Sequence, residues 1–327
     1  MLRRTGSGPA RRNNCSPDCV CYFMMSRRVL GWLVIRGAAI SLIGGLVAGS
    51  VILCNATLHV AKPAETISPN PFPRGGAPWS NVTVRAHDGV ILAAWFSAQP
   101  KQQDNCVMVL HGIGDSKSGS AGFASLFTDA GYSILMPDSR AHGSSGGELV
   151  TYGLQEKLDV LDWLRFLHLS GCRTVFGMGE SMGAAVLIQA AALTSDFSAI
   201  AAESSYSTLM SIADYRVGRT LGLPHWLHNP ISEIFVRGAS AFAKLRYGID
   251  LASASPLASM AETRTPILLI HGTDDTETPP WHSRRLAAAN SSASLWLVPG
   301  APHCGAYATS RAEFRERVLE WFARFQR

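Results

Sequence analysis

The stretch "VFGMGESMGAAV", Val175–Val186, holds a short apolar run, a cluster of small residues and an Ala-rich run. That order reads as a strand, a tight turn and a helix. Two chemistries use such a turn. A dinucleotide site follows G-x-G-x-x-G, whose glycines let the backbone approach a pyrophosphate. Gly177 and Gly179 fill the first two positions, but Met182 stands at the third and Gly183 comes one place late. The turn also falls mid-chain, whereas nucleotide folds place it after the first strand. The other template is G-x-S-x-G, and Gly179-Glu180-Ser181-Met182-Gly183 matches it. It lifts a serine to the apex of a strained turn, with small residues on either side so that strand and helix pack closely. The N–H after the serine then faces the same space at a helix N-terminus, where developing negative charge is favoured.

Outward from this turn the chain alternates strand and helix. "NVTVRAHDGVILAAWF" alternates on both sides of Asp88-Gly89 and predicts a β-hairpin. Strands are expected at Cys106–Gly112, Tyr132–Asp138, Thr174–Met178, Ala199–Ser204, Pro266–Gly272 and Ala293–Gly300. Helices are expected over "GFASLFTDAG", Leu154–Leu169, from Met182, and Ala312–Phe325. In the Leu154–Leu169 helix, Leu158, Leu161, Leu164 and Phe166 are the expected apolar side. Buried apolar runs between helices imply an α/β fold, a doubly wound, mostly parallel sheet covered on both faces. The alternation breaks between about residues 205 and 262, which reads as a small helical cap inserted over the strand ends.

A serine hydroxyl is a weak nucleophile at neutral pH and needs a histidine base held by an acid. After a G-x-S-x-G turn these follow in the order acid, then histidine. "LLIHGTDDTETPP" ends a strand at His271-Gly272 and carries Asp274 and Asp275 on the loop, and "WLVPGAPHCG" places His303 just after the last strand. All three groups then stand at one edge of the sheet, where doubly wound folds bind ligands.

These motifs, with "HGIGDS" and "DSRAHGSSGG" in the expected order, resemble the α/β-hydrolase superfamily over Asn81–Arg327. Within it the chain is most similar to membrane-anchored serine hydrolases with a short cap, of esterase, depalmitoylase-like and aminopeptidase-like kinds. The resemblance implies Ser181 as nucleophile, His303 as general base and then acid, and Asp275 as the orienting carboxylate, four residues after His271. Asp274 and Glu203 are the alternative acids, Glu203 because some relatives place the acid at the end of the strand after the serine helix. The oxyanion hole would use the N–H groups of Ile113 and Met182. The implied reaction is hydrolysis of a carboxylic ester or thioester of a small-molecule or lipid-like acyl substrate through an acyl-enzyme. Serine peptidase or aminopeptidase chemistry, acyl transfer and a non-catalytic binding role on the same fold stay open as alternatives. His111 and His271 read as structural hydrogen-bonders, Asp138, Arg140 and His142 as braces of their loop, Glu180 as structural, and His225 and His228 as surface residues. No cofactor is expected, and no cluster has metal-ligand spacing.

The formal charge of +5 is unevenly placed: residues 1–36 hold seven arginines and one aspartate, which leaves the remainder at −1. The body therefore offers no basic surface for nucleic acid. The arginines precede the uncharged run "GAAISLIGGLVAGSVILC", Gly37–Cys54, so residues 37–60 read as a transmembrane anchor or signal segment. The arginine excess puts the N-terminus in the cytoplasm and the body outside, with secretion after cleavage as the alternative. Gly45 and Gly49 form a G-x-x-x-G within this run. Residues 61–80 read as a Pro/Gly linker, and residues 81–327 as the catalytic domain. Met24 or Met25 would also make a natural start. Cys15, Cys19 and Cys21 have irregular spacing for a metal, and Cys106, Cys172 and Cys304 read as packed thiols rather than a disulfide framework.

Overall fold

Eight strands form one sheet: β1 (Trp79–Arg85), β2 (Ile91–Ser97), β3 (Asn105–Leu110), β4 (Ser133–Pro137), β5 (Thr174–Glu180), β6 (Phe197–Glu203), β7 (Ile267–Gly272) and β8 (Ser294–Val298). Their order is β1-β2-β4-β3-β5-β6-β7-β8. The β1–β2 hairpin and the β2–β4 pair are antiparallel, and every pair from β4 to β8 is parallel. The computed structural model describes residues 27–61, 78–99, 104–222 and 225–326. The expected basic tail up to residue 26, the cysteines within it, Met24, Met25 and most of the linker lie outside the described residues.

The helices are α1 (Arg27–Leu58), α2 (Ala124–Thr128), α3 (Glu156–Leu169), α4 (Met182–Ala191), α5 (Leu209–Thr220), α6 (His225–Tyr247), α7 (Pro256–Glu262), α8 (Trp281–Ala289), α9 (Ala306–Thr309) and α10 (Arg311–Arg324). Successive strand side chains point to opposite faces, and the core divides accordingly. Cys106, Met108 and Leu110 of β3 join α3, α4 and α8 on one face, while Val107 and Val109 join α2 and α10 on the other. A third apolar cluster lies under α5 and α6, which fill the excursion between β6 and β7. α7 packs Met260 into the flanking layer instead, so only the first part of the expected insertion stands over the strand ends.

Several expectations change. α3 buries Val160, Trp163, Leu164 and Leu167, with Leu158 only half-buried, because the face is set by 3.6-residue spacing from Val160. α8 follows "TPP" without a helical apolar period, since its buried face is Leu286 with His282 and Ser283. Cys106 and Cys172 form a disulfide with Cα atoms 5.8 Å apart, contrary to the reading of isolated thiols. The β3–β5 register, which sets Cys106 opposite Val175, brings the two strand starts together; sequence spacing does not reveal this.

The chain divides into two units, residues 1–45 and 46–327. In the first, the described part of α1 is apolar and bare, with Trp32 62% and Ile40 70% exposed. α1 starts at Arg27, ahead of the run read from Gly37, because Val29–Ile35 is itself apolar. Its Leu30–Leu58 segment is long and apolar enough to cross a membrane. In the second unit, α1 residues 46–58 pack one stripe onto the body: Ser50, Cys54 and Leu58 are buried, while Val47 and Ile52 are exposed. A Cβ on Gly49 would stand 2.6 Å from the Phe235 ring, so this glycine serves a crossing within the chain. Gly45, its G-x-x-x-G partner, has open space around it.

Candidate active site

The β5–α4 turn carries Ser181 at φ 51°, ψ −112°, a backbone region that a non-glycine residue enters only under constraint. The Ser181 N–H donates to the Glu203 carbonyl at 2.8 Å and fixes the turn to β6. The flanking glycines are steric necessities. A Cβ on Gly183 would lie 2.3 Å from the Leu110 carbonyl oxygen, and one on Gly179 would lie 2.6 Å from the Ala184 nitrogen. Those contacts are with backbone, so neither neighbour can turn aside.

His303 lies on the loop after β8, with its Nε2 3.0 Å from Ser181 Oγ and its Nδ1 2.7 Å from Asp275 Oδ2. The next residue, Cys304, has φ 51°, and its N–H donates to Ser204 Oγ at 3.2 Å, which holds the loop against the end of β6. Asp275 is buried after β7, and its Oδ1 accepts the N–H groups of Glu277 and Thr278 at 3.0 and 2.8 Å. Burial pushes this carboxyl up, but bonds from His271, His303 and the Thr278 N–H outweigh it and hold the group well below the usual carboxylate range. The structure thus brings Ser181, His303 and Asp275 together.

The alternative acids stand elsewhere. Asp274 is exposed and accepts the Thr273 hydroxyl at 2.9 Å. Glu203 is fully buried, its Oε1 accepting the Ala306 N–H at 2.8 Å, while His303 Nδ1 faces Asp275. Burial raises Glu203 to about 7, against the pull of the Ala306 N–H and of His303. Burial and then the neighbouring Glu203 push Glu180 well up too. A thiol beside the site, Cys304, is driven far up by burial and by the charges of Glu180 and Glu203, which leaves it in the protonated, unreactive form.

Ile113 and Met182 line one cavity with Ser181, of about 140 Å³, together with Leu53, Thr57, Tyr152, Tyr206, Leu209, Ile212 and Arg216 among others. The loop that presents Ile113 is braced by two histidines. His111 Nε2 accepts the Ser139 N–H at 3.0 Å, and its Nδ1–H donates to the Gly112 carbonyl at 2.7 Å. His142 Nε2 accepts the Gly114 N–H at 3.2 Å, and its Nδ1–H donates to the Arg140 carbonyl at 2.9 Å. Burial, then the neighbouring His142, lowers His111 to about 4, so it is a neutral ring at physiological pH. His271 sits beneath Asp275, its Nε2–H donating to the Thr278 carbonyl at 2.6 Å. Arg140 bonds Asp159 and Asp88, and Asp138 accepts the Lys117 and Ser144 N–H groups. The side chains of His225 and His228 lie outside the described residues.

Among the described residues one group, His87, Asp159 and Asp162, has metal-capable atoms close together. Its carboxylates are engaged, Asp159 by the Arg140 guanidinium and Asp162 by the His87 N–H.

Residues 107–317 match the model of the alpha/beta hydrolase family. The chain belongs to that family. As an α/β-hydrolase it is 30% identical over 231 residues to the uncharacterised protein YqkD of Bacillus subtilis, covering 69% of this chain and 73% of that one. It is 25% identical over 258 residues to YfhR of Escherichia coli, also uncharacterised, covering 76% and 82%. Among solved structures, the Pyrococcus furiosus esterase Pf2001 superposes with a TM-score of 0.64 at 24% identity, covering 82% of this chain and 99% of that one. The sequence reading missed the braces from His142 to Gly114 and from Ser204 to Cys304. It missed Leu53 and Thr57 as lining residues as well. The "HG" and "AHG" motifs hinted at the first; nothing local hinted at the others.

Proposed function

We propose that this α/β-hydrolase is a membrane-tethered serine hydrolase that cleaves acyl esters or thioesters through a Ser181-His303-Asp275 triad. The observation that carries the reading is the continuous relay from Asp275 Oδ2 through His303 to Ser181 Oγ, at 2.7 and 3.0 Å, opening into a largely apolar cavity. Ser181 Oγ attacks the substrate carbonyl carbon, and its proton passes to His303 Nε2. Asp275 holds Nδ1–H, which fixes the tautomer and stabilises the imidazolium that forms. The N–H groups of Ile113 and Met182 receive the oxyanion, and losing one such donor costs about 3 kcal/mol of transition-state stabilisation. Collapse breaks the bond to the leaving alcohol or thiol, which takes the proton back from His303. Water, deprotonated by His303, then attacks the acyl-Ser181 carbonyl and releases the acid.

The placement is an uncleaved anchor with the body on the extracytoplasmic side. Cleavage within residues 37–60 would remove helical turns whose side chains Cys54 and Leu58 are buried in the body. The Cys106–Cys172 disulfide supports an oxidising compartment.

The test is labelling of the full chain with a fluorophosphonate in detergent, with Ser181→Ala, His303→Ala and Asp275→Asn alongside and p-nitrophenyl esters as substrates. Labelling lost in Ser181→Ala, and turnover lost in the other two, is the expected result. A folded wild type that neither labels nor turns over would move the assignment to a binding protein on a hydrolase fold.

A further inference from the structure

One continuous helix, α1, carries both the apolar segment long enough to cross a membrane and a wall of the catalytic cavity. The wall is Leu53 and Thr57, one turn apart, which face the space that holds Ser181. This end of α1 is built into the body. Tyr152 donates its hydroxyl to the Thr57 carbonyl at 2.9 Å, the Val150 N–H donates to the Leu58 carbonyl at 2.9 Å, and Tyr247 bonds the Asn55 side chain at 2.9 Å. The crossing with α6 depends on small residues, since a Cβ on Gly238 would stand 2.3 Å from Ser50 Oγ. The opposite face of the same turns stays apolar and bare, with Val47 58% and Ile52 68% exposed. Ile234, beside the Phe235 that covers Gly49, is 52% exposed.

We infer that the last turns of α1 guide the acyl chain of a membrane lipid from the bilayer surface to Ser181, with Leu53 and Thr57 setting acyl selectivity. The inference rests on the serine-hydrolase reading above. Three physical points carry it. Exposing each CH₂ of an acyl chain to water is unfavourable, so a site fed from a bilayer works best when apolar surface is continuous to it. Leu53 is six residues beyond the bare Val47, a helical rise of about 9 Å, and the cavity therefore opens within a short reach of apolar helix surface. The cavity itself, about 140 Å³, matches a space that takes a ring of roughly six carbons. A longer chain must continue past Leu53 along α1.

The experiment uses the full chain in phospholipid nanodiscs, with p-nitrophenyl acetate and dodecanoate as paired substrates. The readout is the ratio of their kcat/KM values, which is independent of the fraction of active enzyme. Leu53→Trp fills the wall and should lower the dodecanoate-to-acetate ratio at least tenfold. Leu53→Ala opens it and should raise the ratio about threefold or more. Leu169→Trp, on the exposed end of α3 and outside the cavity lining, should leave the ratio within twofold. Fluorophosphonate labelling of each variant reports Ser181 separately. Labelled variants whose ratios all match wild type would overturn the inference and leave the hydrolase reading standing. Absence of labelling in wild type would overturn the hydrolase reading itself.

Discussion

Replacing Asp275 by Asn separates an orienting carboxylate from a merely structural one. Asp275 Oδ1 already accepts two backbone N–H groups, from Glu277 and Thr278. In Asp275→Asn the amide oxygen must keep that position, because turning the NH₂ toward two donors would leave buried N–H groups unpaired, at about 1–3 kcal/mol each. The NH₂ then faces His303 Nδ1, which in wild type lies 2.7 Å from Oδ2. Nδ1 must now accept, so the ring carries its proton on Nε2, pointing at Ser181 Oγ. The base is lost while the backbone stays in place. A swap of this kind in a serine triad costs roughly 10⁴ in kcat, equivalent to about 5.4 kcal/mol at about 1.36 kcal/mol for each tenfold step. The assay is p-nitrophenyl ester turnover by the full chain, with thermal unfolding as the control on structure. Turnover should fall by three to four decades, with labelling by fluorophosphonate slowed in parallel and Tm shifted by only a few degrees. Activity within tenfold of wild type, or an equal loss in Glu203→Gln, would refute the argument and transfer the orienting role to Glu203.

Three further outcomes are expected. Gly183→Ala sets a Cβ 2.3 Å from the Leu110 carbonyl oxygen, so α4 must move off β3; we expect about 1–3 kcal/mol lost in denaturant unfolding and slower Ser181 labelling. Glu203 carries a native value raised to about 7, so the folded state holds a proton that the unfolded chain releases near pH 4.5. Wild-type stability from this group is full below the unfolded value, falls as pH rises to about 7 and is flat above, by at most a few kcal/mol. Glu203→Gln should therefore gain on wild type between those pH values in Tm measurements, and a constant offset across that range would count against it. The Cys106–Cys172 bridge closes a separation of 66 residues, for which chain entropy gives about 4 kcal/mol. The double Cys→Ser variant should lose on the order of 10 °C in Tm, and an unchanged Tm would contradict that.

What the sequence makes legible is what local physics constrains. The serine turn is readable because three demands meet in five residues: a positive φ, two glycines pressed on backbone, and a helix start. β3, β6 and β7 are readable as short, nearly continuous apolar runs because both their faces are buried. The choice between Asp274 and Asp275 is not, since adjacent carboxylates differ only in which way the loop after β7 turns. There Asp275 is held inward by the Glu277 and Thr278 N–H groups, and Asp274 is left to solvent.

The disulfide and the α1 wall were hidden for a deeper reason. Cys106 and Cys172 meet through strand order, and Leu53 joins the cavity of Ser181 through the docking of one helix on a cap more than 150 residues away in the chain. Both are properties of faces, whereas sequence shows only periods. α1 reads as a uniform apolar run because the turns after Leu46, packed on one stripe only, carry the same residue types as the bare turns before it. The small residues that mark the change, Gly49 and Ser50, look like any small-residue content until Phe235 and Gly238 lie against them. The last turns of α1 are part of the compact body, and a chain that starts near Ser80 lacks Leu53 and Thr57 together with the buried Cys54 and Leu58. Assays on a body truncated near Ser80 would therefore report on a cavity missing one wall, with acyl selectivity broadened and stability lowered relative to the full chain.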